Sequence, residues 1–186
     1  VFLLTFVWLL HSCKGDINSP EQKNGEIRVF DQSNLPENGT ADIRNLLNAY
    51  FDLKNSMVEG EEESIRVATK KLALVTSETE DNLLTNTVNS TRLKPIFDTL
   101  RAANLDILNI KDPTAEKQRV AFVQVSNTIY LLVEAVQYRS NSLYRQYCPM
   151  AMNDEGAYWL SDIPVIQNPY FGKKMLECGE TTDTLK

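Results

Sequence analysis

Two short sulfur-bearing stretches near the C-terminus carry the residues best able to do chemistry. One is Cys148-Pro149-Met150, with Met152 two positions further on; the other is Met175, followed three positions later by Cys178. An extended chain over 148–152 would set Cys148, Met150 and Met152 on one face, because side chains two apart share a side of a strand. A single helical turn would set Met175 and Cys178 on a common face. If the two faces meet, up to five sulfur donors converge. Thiolate and thioether are soft ligands that favour Cu(I) over Zn, Mg or Ca, and two thiolates without imidazole suit a linear or trigonal Cu(I) site. Zinc is disfavoured, since thioether serves it poorly and two further nitrogen or sulfur ligands are missing.

The same cysteines have a structural reading. Two cysteines in an exported chain commonly pair, and a Cys148–Cys178 disulfide would close a loop of about thirty residues and stabilise by roughly 3–4 kcal/mol. The methionines would then be gap-filling apolar residues. Disulfide and metal exclude one another at any one moment, although a redox-linked exchange between them is chemically open. Tyr158, Trp159, Tyr170 and Phe171 are expected to pack this segment onto a scaffold, with a cation–π wall beside a bound ion as the alternative.

Composition removes other classes of function. The one histidine is His11, inside an apolar leader, so the mature chain has no imidazole for a catalytic triad, a general base or a histidine metal site. Cys148 as a nucleophile would have no histidine to activate it, and the chain reads as a non-enzyme. The net charge of -6 and pI near 4.9, with no basic stripe interleaved with aromatics, argue against nucleic acid as a partner.

The residues that must position the sulfurs precede them. Val1 to Leu10 is an uncharged apolar run, about half the ~20 residues a membrane-spanning helix needs. It fits the apolar core of an export signal. Leu10-His11-Ser12-Cys13 resembles a bacterial lipobox, which implies cleavage before Cys13, lipid on its sulfur and a membrane as partner. We therefore read 1–12 as a lipoprotein signal, 13–39 as a polar tether and 40–186 as the domain. Thr40 is the expected N-cap of a first helix buried through Ile43, Leu46, Leu47, Tyr50, Phe51 and Met57 and stopped by Gly60. Glu61, Glu62 and Glu63 open a second, buried through Ile65, Ala68, Leu72 and Val75. Ser77 to Ser90 reads as a mostly polar stretch. A third helix is expected from about Thr91, with Pro95 in its first turn. Asp112-Pro113 starts a fourth that runs to about Tyr138. The expected fold is mainly α: an up-and-down four-helix bundle with an irregular Cys/Met/aromatic-rich C-terminal segment.

That last segment also carries a resemblance. Cys148-Pro149-Met150-Ala151, Gly156-Ala157-Tyr158-Trp159-Leu160-Ser161, Ile166-Gln167-Asn168-Pro169-Tyr170-Phe171-Gly172 and Met175-Leu176-Glu177-Cys178-Gly179 resemble a bacterial family of domains of unknown function. Its members occur as envelope lipoproteins and at the C-terminal end of heavy-metal efflux adaptor proteins. Gln118 to Phe122 and Ser126 fit the family's long helix. The resemblance implies a periplasm-facing envelope location, an efflux adaptor or another envelope protein as partner, and copper or silver handling as the setting. Met152 falls outside the family's pattern, which leaves Cys148, Met150, Met175 and Cys178 as the expected metal ligands. A protein-interaction module stapled by the Cys148–Cys178 disulfide is the alternative.

Overall fold

The apolar stripes read from the sequence fold as helices. In a computed structural model, which describes residues 31–85 and 87–186 and only the backbone of 87–89, α1 spans Glu37–Glu59, α2 Glu62–Leu83, α3 Thr87–Asn109 and α4 Glu116–Ala135. His11, Cys13 and the leader lie outside the described residues. Consecutive helices pack against one another and α1 also meets α4, which is the helical bundle expected. Ile43, Leu46, Tyr50, Leu53 and Met57 of α1 are buried, as are Phe122, Val125, Ile129 and Leu132 of α4. Each large side chain so buried stabilises by roughly 1.5–3 kcal/mol relative to exposure. No described helix is long and apolar enough to cross a membrane.

Helix boundaries differ from expectation for local reasons. α1 begins at Glu37, not after Thr40; Pro36 is its N-cap, and Thr40 N–H already donates to Pro36 O at 2.9 Å. The end of the stretch read as tether is thus part of the fold. Gly60 stops α1 in a left-handed conformation, as read. α2 runs on to Leu83, through much of the stretch read as polar, because Thr76, Thr79 and Leu83 still face the core. α3 starts at Thr87, which puts Pro95 two turns inside it rather than in its first turn. α4 starts at Glu116, behind a turn in which the Asp112 carboxylate accepts from Thr114 N–H at 3.0 Å and Lys117 N–H at 2.9 Å. Asp112 caps the helix from further back than a simple N-cap. Those hydrogen bonds, that of the Thr114 hydroxyl foremost, hold its carboxyl down at about 2.

The C-terminal segment is more regular than expected. β3 (Tyr144–Cys148) is the central strand of a three-stranded antiparallel sheet, flanked by β4 (Ala157–Ser161) and β5 (Glu180–Thr184). A smaller pair joins β1 (Asp31–Gln32) to β2 (Arg139–Ser140), register Asp31 opposite Ser140.

One buried side chain fastens this sheet to the bundle, and a second ties α1 to α4 beside Gly172. The Tyr50 hydroxyl lies 2.9 Å from Ser126 Oγ and accepts from Leu160 N–H of β4 at 3.1 Å, while its ring stacks on Phe122. Arg119 donates from Nε and Nη2 to Met57 O, at 3.1 and 2.9 Å, and from Nη1 to Thr114 O at 3.3 Å. Gly172 comes so close that a Cβ there would lie 2.6 Å from Arg119 Nη2 and 2.7 Å from Val58 O, at a φ of +55°. Tyr50→Phe should leave Leu160 N–H and Ser126 Oγ without their buried partner and lower unfolding free energy by about 1–3 kcal/mol. Urea denaturation followed by far-UV circular dichroism measures this; an unchanged midpoint would show that the hydroxyl does not join the two layers.

Candidate metal centre

Cys148 is the last residue of β3 and is fully buried. Cys178 stands two residues before β5, which pairs with β3 so that Tyr147 faces Glu180. Antiparallel pairing therefore carries two cysteines thirty positions apart to the same end of the sheet. Their Sγ atoms lie 2.7 Å apart and both are free thiols. The Cys178 thiol is pushed up to about 11, first by the hydrogen bond with Cys148 and then by burial.

Asn168 fixes the loop that delivers Cys178. It is fully buried. Its Nδ2 donates to Cys178 O at 2.7 Å, and its Oδ1 accepts from Tyr170 N–H at 2.8 Å and Phe171 N–H at 3.2 Å. Its own N–H donates to Leu176 O at 2.8 Å. The sequence signal for Asn168 was its place in the Ile166–Gly172 stretch. Trp159 is buried beside the sulfurs, its ring 2.9 Å from where a Cβ on Gly179 would stand. Tyr170 meets Trp159 edge-on at 5.9 Å and Phe122 of α4 at 6.0 Å. The aromatics pack the segment onto the bundle, as expected.

The methionines are not arranged as expected. Extended backbone stops at Cys148, since Pro149 has no N–H to continue a ladder. Met150 sits in the turn that follows and is 47% exposed, whereas Cys148 points into the core. Met152 then adopts φ 54°, ψ 50°, in a run of left-handed residues with Asn153 and Asp154. Cys148, Met150 and Met152 therefore do not share a strand face. Met175 and Cys178 are not on a helix either: a 3-10 turn, Gly172–Lys174, ends before Met175, and Cys178 N–H donates to Met175 O at 3.2 Å. That turn still sets Met175 and Cys178 along one surface cleft with Leu176 and Glu177. Met150, Met152 and Met175 line a neighbouring groove of about 860 Å³. Met175 borders both. Among the described residues, no three His, Cys, Asp or Glu side chains gather as a metal cage, so a metal held here would need thioether donors beside the thiols.

Residues 46–141 match the family described as a protein of unknown function, DUF3347. The chain belongs to that family. No curated protein and no solved structure matches it. The DUF3347 match spans the four helices from within α1 onward and ends before β3, so the sulfur pair lies beyond the matched residues.

The raised Cys178 thiol gives a prediction. With a folded value of about 11, against about 8.5 for an ordinary cysteine, its thiolate is about two orders of magnitude scarcer at neutral pH. Iodoacetamide should alkylate Cys178 of the reduced protein correspondingly slowly, and the rate should keep climbing up to about pH 11. Cys148→Ala removes the main cause and should move the profile to lower pH. Mass spectrometry of quenched time points reads both effects.

Proposed function

We propose that this DUF3347 domain is a non-catalytic, soft-metal-binding domain of the bacterial envelope, anchored through lipidated Cys13, that takes up Cu(I) or Ag(I) during heavy-metal handling or efflux. The observation that carries this reading is the convergence of Cys148 Sγ and Cys178 Sγ at 2.7 Å. Met175 lies along the same cleft as Cys178. On binding, the thiols lose their protons and their sulfurs move apart. Two thiolates at about 2.3 Å from one ion, the zinc–thiolate distance, stand about 3.7–4.6 Å from each other. Cys178 lies in the loop before β5 and is only partly buried, so it is the partner able to move; Cys148 is held in the sheet. Copper capture on this reading is pH-dependent, weakening as acid competes for the thiolates.

The 2.7 Å separation also favours a second reading. When a disulfide-bearing oxidant accepts the two thiol hydrogens by exchange, closing by about 0.7 Å makes a disulfide, and the domain is then a stapled module that binds an efflux adaptor or another envelope protein through its exposed surface. The two readings part on one experiment. The reduced mature domain is added to Cu(I) held by a chromophoric chelator. Soft-metal binding predicts withdrawal of a cysteine-dependent equivalent, at least tenfold weakened in Cys148→Ser with Cys178→Ser. Withdrawal that does not depend on the cysteines sinks the thiol site. Absence of free thiol in protein isolated without reductant, with a marked loss of melting temperature on reduction, supports the staple.

A further inference from the structure

The groove beside the sulfur pair holds the three methionines that lie outside the helical core. Of the four methionines in the chain, Met57 is fully buried in α1, while Met150 and Met175 are 47% and 36% exposed and Met152 is partly buried beside them. Apolar side chains this exposed contribute little to folding. Met152 is moreover kept in a left-handed conformation that an L-residue with a long side chain rarely adopts, followed by Asn153 and Asp154 in the same region. Backbone held in this region clusters at binding and active sites. Val120 and Phe171 add apolar lining; Asp154 and Glu155 bring negative charge, Arg119 brings positive charge, and Lys174 is paired with Glu116.

From this arrangement we infer that Met150, Met152 and Met175 form a second soft-cation site, built from thioethers, that takes Ag(I) or Cu(I) whether the cysteines are reduced or oxidised. Thioether sulfur prefers soft monovalent ions. It carries no proton to lose, so this site stays open at acid pH, where the thiols are closed by protonation. Oxidation of the pair to a disulfide leaves the three thioethers untouched. Three carboxylates against Arg119 and Lys174 leave the lining slightly negative, which favours a cation that the carboxylates need not ligate. The inference shares with the preceding reading the premise that this chain meets soft metal ions, but none of it rests on the thiols.

The test is an Ag(I) titration of protein labelled with 13C at the methionine methyls, with signals assigned by single Met→Leu substitutions. Two samples lack free thiols: Cys148→Ser with Cys178→Ser, and wild type oxidised by diamide, which accepts the two thiol hydrogens. The oxidised wild type serves if the double variant does not fold. The Met150, Met152 and Met175 signals should shift together and saturate near one equivalent, at pH 5 as at pH 7, with Met57 stationary. The triple variant Met150→Leu, Met152→Leu, Met175→Leu should bind Ag(I) at least tenfold more weakly. Signals that stay in place, shift singly, or shift along with Met57 overturn the site. Loss of this response with intact uptake by the reduced thiols removes only the groove; the opposite result removes only the thiol site.

Discussion

Arg119 is the constraint on which the C-terminal half depends. Its guanidinium is buried, and burial works against its charge, with Glu116 and Asp112 only partly compensating. Among the described residues, no carboxylate forms an ion pair with it. Instead it is satisfied by Met57 O, in the last turn of α1, and by Thr114 O before α4. The end of a helix is where unpaired carbonyls and the negative end of the dipole favour a cation. The arrangement fixes the spacing of α1 and α4 and shapes the surface against which Gly172 must fit. A side chain at 172 would strike both the guanidinium and the α1 backbone. The loop that carries Met175 and Cys178 is thus seated on a helix end.

A second fixed point governs the other sulfur. β3 is the middle strand: Cys148 stands opposite Ala157 of β4, and its neighbour Tyr147 stands opposite Glu180 of β5. The ladder to β5 shifts register between Arg145 and Gln146. Gln146 is fully buried, and its Nε2 donates to Ile163 O at 3.2 Å and Pro164 O at 3.3 Å. A buried amide that holds two loop carbonyls stiffens the strand and the connection after β4 together. One sulfur is therefore held in the sheet, and the other sits in a loop clamped by Asn168.

The helical half was legible because its signal is redundant: α1 alone repeats its apolar side chains from Ile43 to Met57 at helical spacing. Its boundaries were not, since Pro36 and Asp112 set helix starts through backbone and side-chain geometry that spacing does not encode. The sheet was missed for a specific reason. β3 buries Gln146 and leaves Tyr144 and Tyr147 only partly buried, reversing the usual apolar-in pattern. β5 is Glu180–Thr184, polar and almost wholly exposed, so it carries no hydrophobic period at all. β4 is buried on both faces over Trp159, Leu160 and Ser161 and does not alternate either. Hydrophobic patterning detects strands with one wet face, and none of these three qualifies. The candidate site was legible as residue types but not as geometry. Cys148 and Cys178 do meet, yet the methionines assigned to the same faces reach their groove through turns, by way of Pro149 and a left-handed Met152.

The boundary between the family match and the sulfur segment bears on how such a domain works. The matched stretch, 46–141, holds none of the sulfur residues of the candidate site, but it supplies what keeps them in place. Tyr50 reaches from α1 to the Leu160 N–H of β4, Ser126 of α4 shares that hydroxyl, Phe122 supports Tyr170, and Arg119 receives Gly172. Each is a helix residue whose side chain is buried against the C-terminal segment. A four-helix bundle does not need a hydroxyl at 50 for its own core: an apolar residue there would pack as well and would spare its burial. The Tyr50 hydroxyl is matched to Leu160 N–H of the sheet, which makes the bundle a mount shaped for the segment it carries.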